Sequence, residues 1–252
     1  MIISSKSNEK IKRIASLKEK KYREIENAFL VEGFKMVKEA FSFGMEILAI
    51  IGTKSGLNKL YEDFGVKKDG FSGEIIEVTE EVYKKVSDSV TPQGVSAVVR
   101  KKTAENKGDK SVLLDGIQDP GNMGTIIRTL SAVGIEKLYL INCCDAYSPK
   151  AVRSSMSGIY FVNTEETTYS EVLTKLNGAK LIVADMDGES IYDFIPPEKY
   201  CLVIGNEANG VSEKIKSLAD KTVSIPMKEH SESLNAGVSL SVILYELNYG
   251  KK

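Results

Sequence analysis

Histidine occurs once, at His230, so neither a histidine triad nor a histidine-rich metal cluster can be assembled within one chain. A lone loop histidine is read as incidental. Cysteine is almost as scarce. Cys143, Cys144 and Cys201 are odd in number, two of them are adjacent, and no C-x-x-C accompanies histidines. They read as buried or idle thiols in a reducing cytosol, and no metal is expected. Long apolar runs are also missing. None approaches the ~18 residues of a membrane span, and Glu46 interrupts the stretch around Ile47 to Ile51. The opening Met1 to Lys6 has no basic region followed by an apolar one, so no signal peptide is expected. Internal repeats and low-complexity tracts are absent.

Net charge is nearly absent as well, at −1. Its distribution is uneven. Up to Arg23 there are eight basic residues (Lys6, Lys10, Lys12, Arg13, Lys18, Lys20, Lys21, Arg23) against Glu9 and Glu19. A basic head on a mildly acidic body makes phosphate one candidate partner, and a solvated helix face is the other reading. With 42% hydrophobic residues the chain has enough apolar side chains for a core.

Ser7-Asn8 followed by Ile11, Ile14 and Leu17 predicts a capped amphipathic helix. Strands are expected at 29–31, 47–51, 75–78 and 95–99, with helices at 34–43 and 57–64. The polar, aperiodic stretch from Arg100 to Lys110 reads as a linker, giving domains 1–100 and 111–252 around 101–110. The second half alternates strands (112–114, 138–141, 181–184, 202–204, 223–225) with helices (124–133, 149–156, 170–176, 213–218, 234–247). Such alternation predicts a parallel sheet covered on both faces. Ligands of these sheets sit at the carboxyl ends of strands.

Three strand-exit loops carry glycine, asparagine and charge. Asp115 to Gly124 leads into a helix where Arg128 sits beside Ile126, Ile127 and Leu130. An arginine one turn into a helix opposes the macrodipole at about 0.3–1 kcal/mol, which a nearby anion would offset. Gly205-Asn206-Glu207-Ala208-Asn209-Gly210 matches G-x-x-x-x-G, but Val211 stands where a phosphate loop needs lysine. Ile225 to Asn235 precedes the closing helix, with Ser233 a candidate cap and Asn235 inside the helix start. Gly237 costs that helix roughly 1 kcal/mol relative to alanine, which points to a close backbone neighbour.

These loops, in this order, resemble the SpoU (TrmH) family of RNA methyltransferases. Asp119-Pro120-Gly121-Asn122-Met123-Gly124 with Arg128 is similar to its first motif, Ile204-Gly205-Asn206-Glu207 with Gly210 to its second, and Ile225-Pro226-Met227 with Glu232-Ser233-Leu234-Asn235 to its third. Ser148 to Arg153, with Ser155-Met156, is also similar to the family. Phe29-Leu30-Val31-Glu32-Gly33 and Thr91-Pro92-Gln93-Gly94-Val95 resemble its substrate-binding extension. The sequence departs from the family pattern at Lys228-Glu229-His230 and at Ala236-Gly237.

The resemblance implies an α/β fold: a C-terminal parallel-sheet α/β-knot (SPOUT trefoil knot) domain preceded by a small α/β RNA-binding domain. It also implies a homodimer through the closing helices, for which the small residues of 236–241 are suited, and S-adenosylmethionine as methyl donor. The implied cofactor residues are Ile204, Gly205, Asn206, Ile225, Met227, Ser233 and Leu234. The implied catalytic residues are Asn122, Arg128, Glu207, Ser233 and Asn235. The implied reaction is methylation of a ribose 2′-hydroxyl, most of all in ribosomal RNA. Guanidinium holds its proton above a pKa of ~12. Arg128 is therefore expected to grip a phosphate and steady the forming alkoxide rather than act as base. Glu207 would position Arg128 or accept from RNA. The competing readings are a methyltransferase for tRNA ribose or base nitrogen, and a non-catalytic RNA-binding ribosome-assembly factor.

Overall fold

The computed structural model describes residues 2–66, 71–102, 108–228 and 233–250. Part of the expected linker (103–107) and the motif residues Glu229 to Glu232, His230 among them, lie outside the described residues. The chain forms two compact units, Met1–Lys102 with Tyr147–Tyr160, and Thr103–Ala146 with Phe161–Lys252.

In the first unit the elements run α1 (Glu9–Ser16), α2 (Lys20–Glu26), β1 (Ala28–Glu32), α3 (Phe34–Ser42), β2 (Ile47–Thr53), α4 (Lys54–Glu62), β3 (Glu74–Val78), α5 (Glu80–Val86) and β4 (Val95–Arg100). The strands form a sheet in the order β1-β4-β2-β3, antiparallel except for the β2–β3 pair. Asn8 caps α1, its side chain accepting from Lys10 N, and the Ile11, Ile14 and Leu17 face is buried against Val82, Tyr83 and Val86. Two helices fall where no element was expected. α2 is only seven residues long, and α5 is capped by Thr79, whose hydroxyl accepts from Val82 N. Both are too short for a full period to stand out.

The basic head is consumed largely within this unit. Lys10 pairs with Glu74, Lys12 with Glu9 at 2.7 Å, and Arg13 with Glu26. Lys18 donates to the carbonyls of Lys85, at 2.9 Å, and Ser87. A charge count cannot see such partners, because Glu74, Lys85 and Ser87 are distant in sequence. Replacing Lys10, Lys12, Arg13 and Lys18 with glutamine is therefore expected to change the slope of log K against log salt for RNA binding by less than about one. Four free phosphate contacts would change it by roughly three. A salt titration of RNA affinity decides between them.

The second unit runs β5 (Lys110–Asp115), α6 (Pro120–Val133) and β6 (Lys137–Ile141). The chain then visits the first unit as α7 (Pro149–Ser155) and a 3-10 turn, Met156–Tyr160, before continuing with β7 (Asn163–Glu166), α8 (Val172–Lys175), β8 (Lys180–Ser190), β9 (Tyr200–Gly205), α9 (Glu213–Lys216), β10 (Lys221–Ser224) and α10 (Ala236–Tyr249). The excursion is held by aromatic packing of Tyr147 on Phe29, ring centroids 5.0 Å apart, and by the buried Tyr160 hydroxyl donating to the Met36 carbonyl at 2.9 Å. The strands of the second unit pair in the order β10-β8-β9-β5-β6-β7, every pair parallel. Val112, Leu113 and Leu114 of β5 are fully buried, as a strand covered on both faces requires. Among the described residues no helix is long and apolar enough to cross a membrane.

α10 packs against α6. A Cβ on Gly237 would stand 3.1 Å from Thr125 Cγ2, and Ser241 and Thr129 hydroxyls are 2.9 Å apart. The small residues of α10 thus serve a crossing inside the chain. Its exposed apolar residues are instead Val238, Tyr245 and Tyr249.

Candidate active site

The carboxyl ends of β9 and β10, the middle of β8 (Ala184–Asp187) and the start of α10 border one cavity of about 550 Å³, within the range of small-ligand sites. Sequence accounts for how each loop is built. Leaving β5, the chain turns at Gly116 (φ +80°), and Asp119 caps α6 by accepting from Asn122 N at 2.9 Å, with Pro120 in the first turn. α6 thus starts four residues before the expected Gly124. Arg128 stands more than two turns inside it, so the expected conflict with the macrodipole falls away, since that effect is confined to the first turn.

Leaving β9, the chain closes a tight loop in which Asn206 N and Gly210 O, and Gly210 N and Asn206 O, pair at 3.0 and 2.8 Å. The Asn206 side chain is spent on this loop. Its Nδ2 donates to Gly116 O at 2.9 Å, and its Oδ1 accepts from Ala208 N at 2.8 Å. Asp115, which was not among the expected site residues, secures the far end of the loop. Its buried carboxylate accepts from Ser212 N at 2.8 Å and from the Tyr169 hydroxyl at 3.0 Å. A buried aspartate ending a strand of apolar residues is the signal that could have found it.

Before α10 the cap is Asn235 and not Ser233. Asn235 Oδ1 accepts from Gly237 N at 3.0 Å and Val238 N at 3.3 Å. Asparagine caps as well as serine, so sequence preference alone did not separate them. The same Asn235 donates through Nδ2 to Asn122 Oδ1 at 2.8 Å, and Asn122 Nδ2 donates to Glu207. Three loops are thereby joined in one hydrogen-bonded row, Asn235 to Asn122 to Glu207.

The expected cofactor residues Ile204, Gly205 and Asn206 line the cavity, as do Ile225, Met227, Ser233 and Leu234. Glu207 lines it too. Arg128 does not. It is exposed, and it makes no hydrogen bond or ion pair with the described residues, Glu207 included. On the β8 side, Asp185 and Lys216 form an ion pair at 2.7 Å at the cavity wall. The lysine's hydrogen bond holds the Asp185 carboxyl below its ordinary range. The cysteines are free, and burial pushes the thiols of Cys143 and Cys201 up to about 12 and that of Cys144 to about 11.

The model of the SpoU rRNA Methylase family matches residues 109–245, which span these loops. The chain belongs to the SpoU rRNA methylase family. The MRM3-like substrate binding domain matches residues 8–97. Among relatives, the 23S rRNA (guanosine(2553)-2′-O)-methyltransferase RlmP of Bacillus subtilis is 30% identical, with 97% of this chain and 98% of the relative covered. A solved TrmH-family structure from Porphyromonas gingivalis superposes with a TM-score of 0.82 at 32% identity, covering 96% of this chain and 98% of that one. The SpoU methyltransferase AviRb from Streptomyces viridochromogenes, solved in complex with the cofactor AdoMet, gives 0.81 at 27% identity, covering 95% and 97%. For a SpoU chain the fold is therefore a mixed α/β one with the parallel sheet of the SPOUT class.

Proposed function

We propose that this SpoU chain transfers the methyl group of S-adenosylmethionine to a ribose 2′-hydroxyl of RNA, with ribosomal RNA as the substrate. The observation that carries the reading is a cavity lined by Glu207, whose carboxylate ends the Asn235–Asn122–Glu207 row; Asn122 and Asn235 themselves stand outside its lining. The residues fit the methyl donor. Gly205 lets the loop backbone close on itself at the cavity wall, since a Cβ there would lie 2.1 Å from Gly210 C. Ile204, Leu234 and Ile243 supply apolar walls. When bound, the sulfonium offers an electrophilic methyl group and a neutral thioether as leaving group.

Over the reaction the hydroxyl oxygen gains the methyl group and loses its proton to solvent, while the broken carbon–sulfur pair stays on sulfur. The chain's task is alignment and charge. Both functional groups of Asn122 are engaged, which fixes the direction of the row, and the exposed Glu207 keeps acceptor capacity for an RNA hydroxyl. Ser233, at the cavity wall, would orient the ribose. Arg128, exposed and unpaired among the described residues, is available for phosphate and the forming alkoxide.

Residues 1–100 are assigned to RNA binding, 101–110 to the linker and 111–252 to the knotted methyltransferase domain, acting in the cytosol. The matches at 8–97 and 109–245 support that division. A homodimer through α10 accounts for its exposed Val238, Tyr245 and Tyr249. Light scattering at micromolar concentration is expected to give the mass of two chains, and Tyr245→Glu the mass of one. A single-chain mass for the unaltered protein would remove the dimer. The activity itself is tested by incubating the protein with labelled S-adenosylmethionine and separate ribosomal and transfer RNA pools from a strain lacking it. Label is expected in ribosomal RNA. Label confined to transfer RNA would move the substrate, and no label in either would leave a binding protein.

A further inference from the structure

The cavity wall carries charge on both of its sides. Among the described residues its charged side chains are Asp185, Asp187, Glu207 and Lys216, three carboxylates against one ammonium. Glu207 belongs to the row at the β5 side. Asp185 and Asp187 lie on the other side of β9, because β8 neighbours β9 away from β5. They stand roughly two strand spacings, about 10 Å, from the β5 exit. Lys216 pairs with Asp185 at 2.7 Å and leaves Asp187 exposed and without a side-chain hydrogen bond among the described residues. The wall is thus anionic beyond what its single lysine balances.

The proposed reaction changes the charge of what the cavity holds. S-adenosylmethionine carries a sulfonium, an ammonium and a carboxylate, a net single positive charge at neutral pH. S-adenosylhomocysteine, left after transfer, has lost the sulfonium charge and is net neutral. An anionic wall attracts the first more than the second, whatever apolar contacts they share. We propose that Asp185 and Asp187 are specificity-determining residues that favour the cationic donor over its neutral product and so speed exchange of spent cofactor. This rests on the methyltransferase reading given above.

The test is calorimetric titration of the full-length protein with S-adenosylmethionine, S-adenosylhomocysteine and sinefungin, in which a protonated amine replaces the sulfonium and keeps its charge. Donor and sinefungin affinities are expected to fall with added salt while that of S-adenosylhomocysteine stays level. Asp185→Asn and Asp187→Asn are each expected to narrow the donor-to-product affinity ratio by roughly two- to fivefold, the scale of one exposed charge pair. Lys216→Met is expected to widen it. Sinefungin should follow the donor in every variant. Should Asp185→Asn fail to fold, Asp187→Asn still decides, since the Asp187 side chain supports no contact described. An unchanged ratio in Asp187→Asn and Lys216→Met overturns the proposal. If the unaltered protein binds none of the three ligands, the methyltransferase reading itself fails.

Discussion

Arg128→Ala and Arg128→Lys are both expected to fold and to bind S-adenosylmethionine as the unaltered protein does, yet to lose methyl transfer by roughly a hundred- to a thousandfold in a single turnover. Binding should survive because Arg128 lies outside the cavity lining, and folding because it makes no pairing within the described structure. Lysine should not rescue the rate. It keeps the charge, but it lacks the planar, two-pronged donor set that grips a phosphate and faces a forming alkoxide together. RNA affinity should drop only modestly, since one phosphate contact among many is removed. Rapid-quench measurement on cofactor-saturated enzyme separates these effects. A rate near that of the unaltered protein would take Arg128 off the list of catalytic residues.

Gly205→Ala is expected to weaken S-adenosylmethionine binding by roughly ten- to a hundredfold, the equivalent of about 1–3 kcal/mol of overpacking. The added Cβ would fall 2.2 Å from Val211 N and 2.3 Å from Gly210 O, which are backbone atoms and not the movable end of a side chain. The loop would have to open, and it is fastened at both ends. Asn206 ties it to Gly116, and Asp115 ties Ser212 to the end of β5. RNA binding by the first unit should be unaffected. Calorimetry with the cofactor and a separate RNA-binding titration check both halves. Unaltered cofactor affinity would show that the loop does not form the cofactor cradle.

Much of the second unit was legible because β5, β6 and β9 are short, apolar and buried; β7 was not, because Asn163–Glu166 is polar and unburied. The three exits were legible because each gathers glycine, asparagine and charge after an apolar strand. Helix starts were harder. Asp119-Pro120 is both a turn and a cap, and it places the first turn of α6 inside what reads as loop. Ser233 and Asn235 are equivalent by preference, and only the bonds from Gly237 N and Val238 N make Asn235 the cap. The excursion of Tyr147–Tyr160 was not legible, because its contacts with Phe29 and Met36 span more than a hundred residues. The partners of Lys10 and Lys18 are long-range for the same reason, so the basic head looked freer than it is. The role of Asp115 depends on Tyr169 and Ser212, far along the chain.

The methyl group is expected on a ribose oxygen. Ribosomal RNA from a strain lacking the protein, methylated in vitro with isotopically labelled S-adenosylmethionine, can be digested to nucleosides and resolved by mass spectrometry. Label is expected in a single 2′-O-methylnucleoside, with the extra mass on the sugar fragment and the neighbouring phosphodiester resistant to alkali. Label on the base fragment, with that bond still cleaved by alkali, would contradict it.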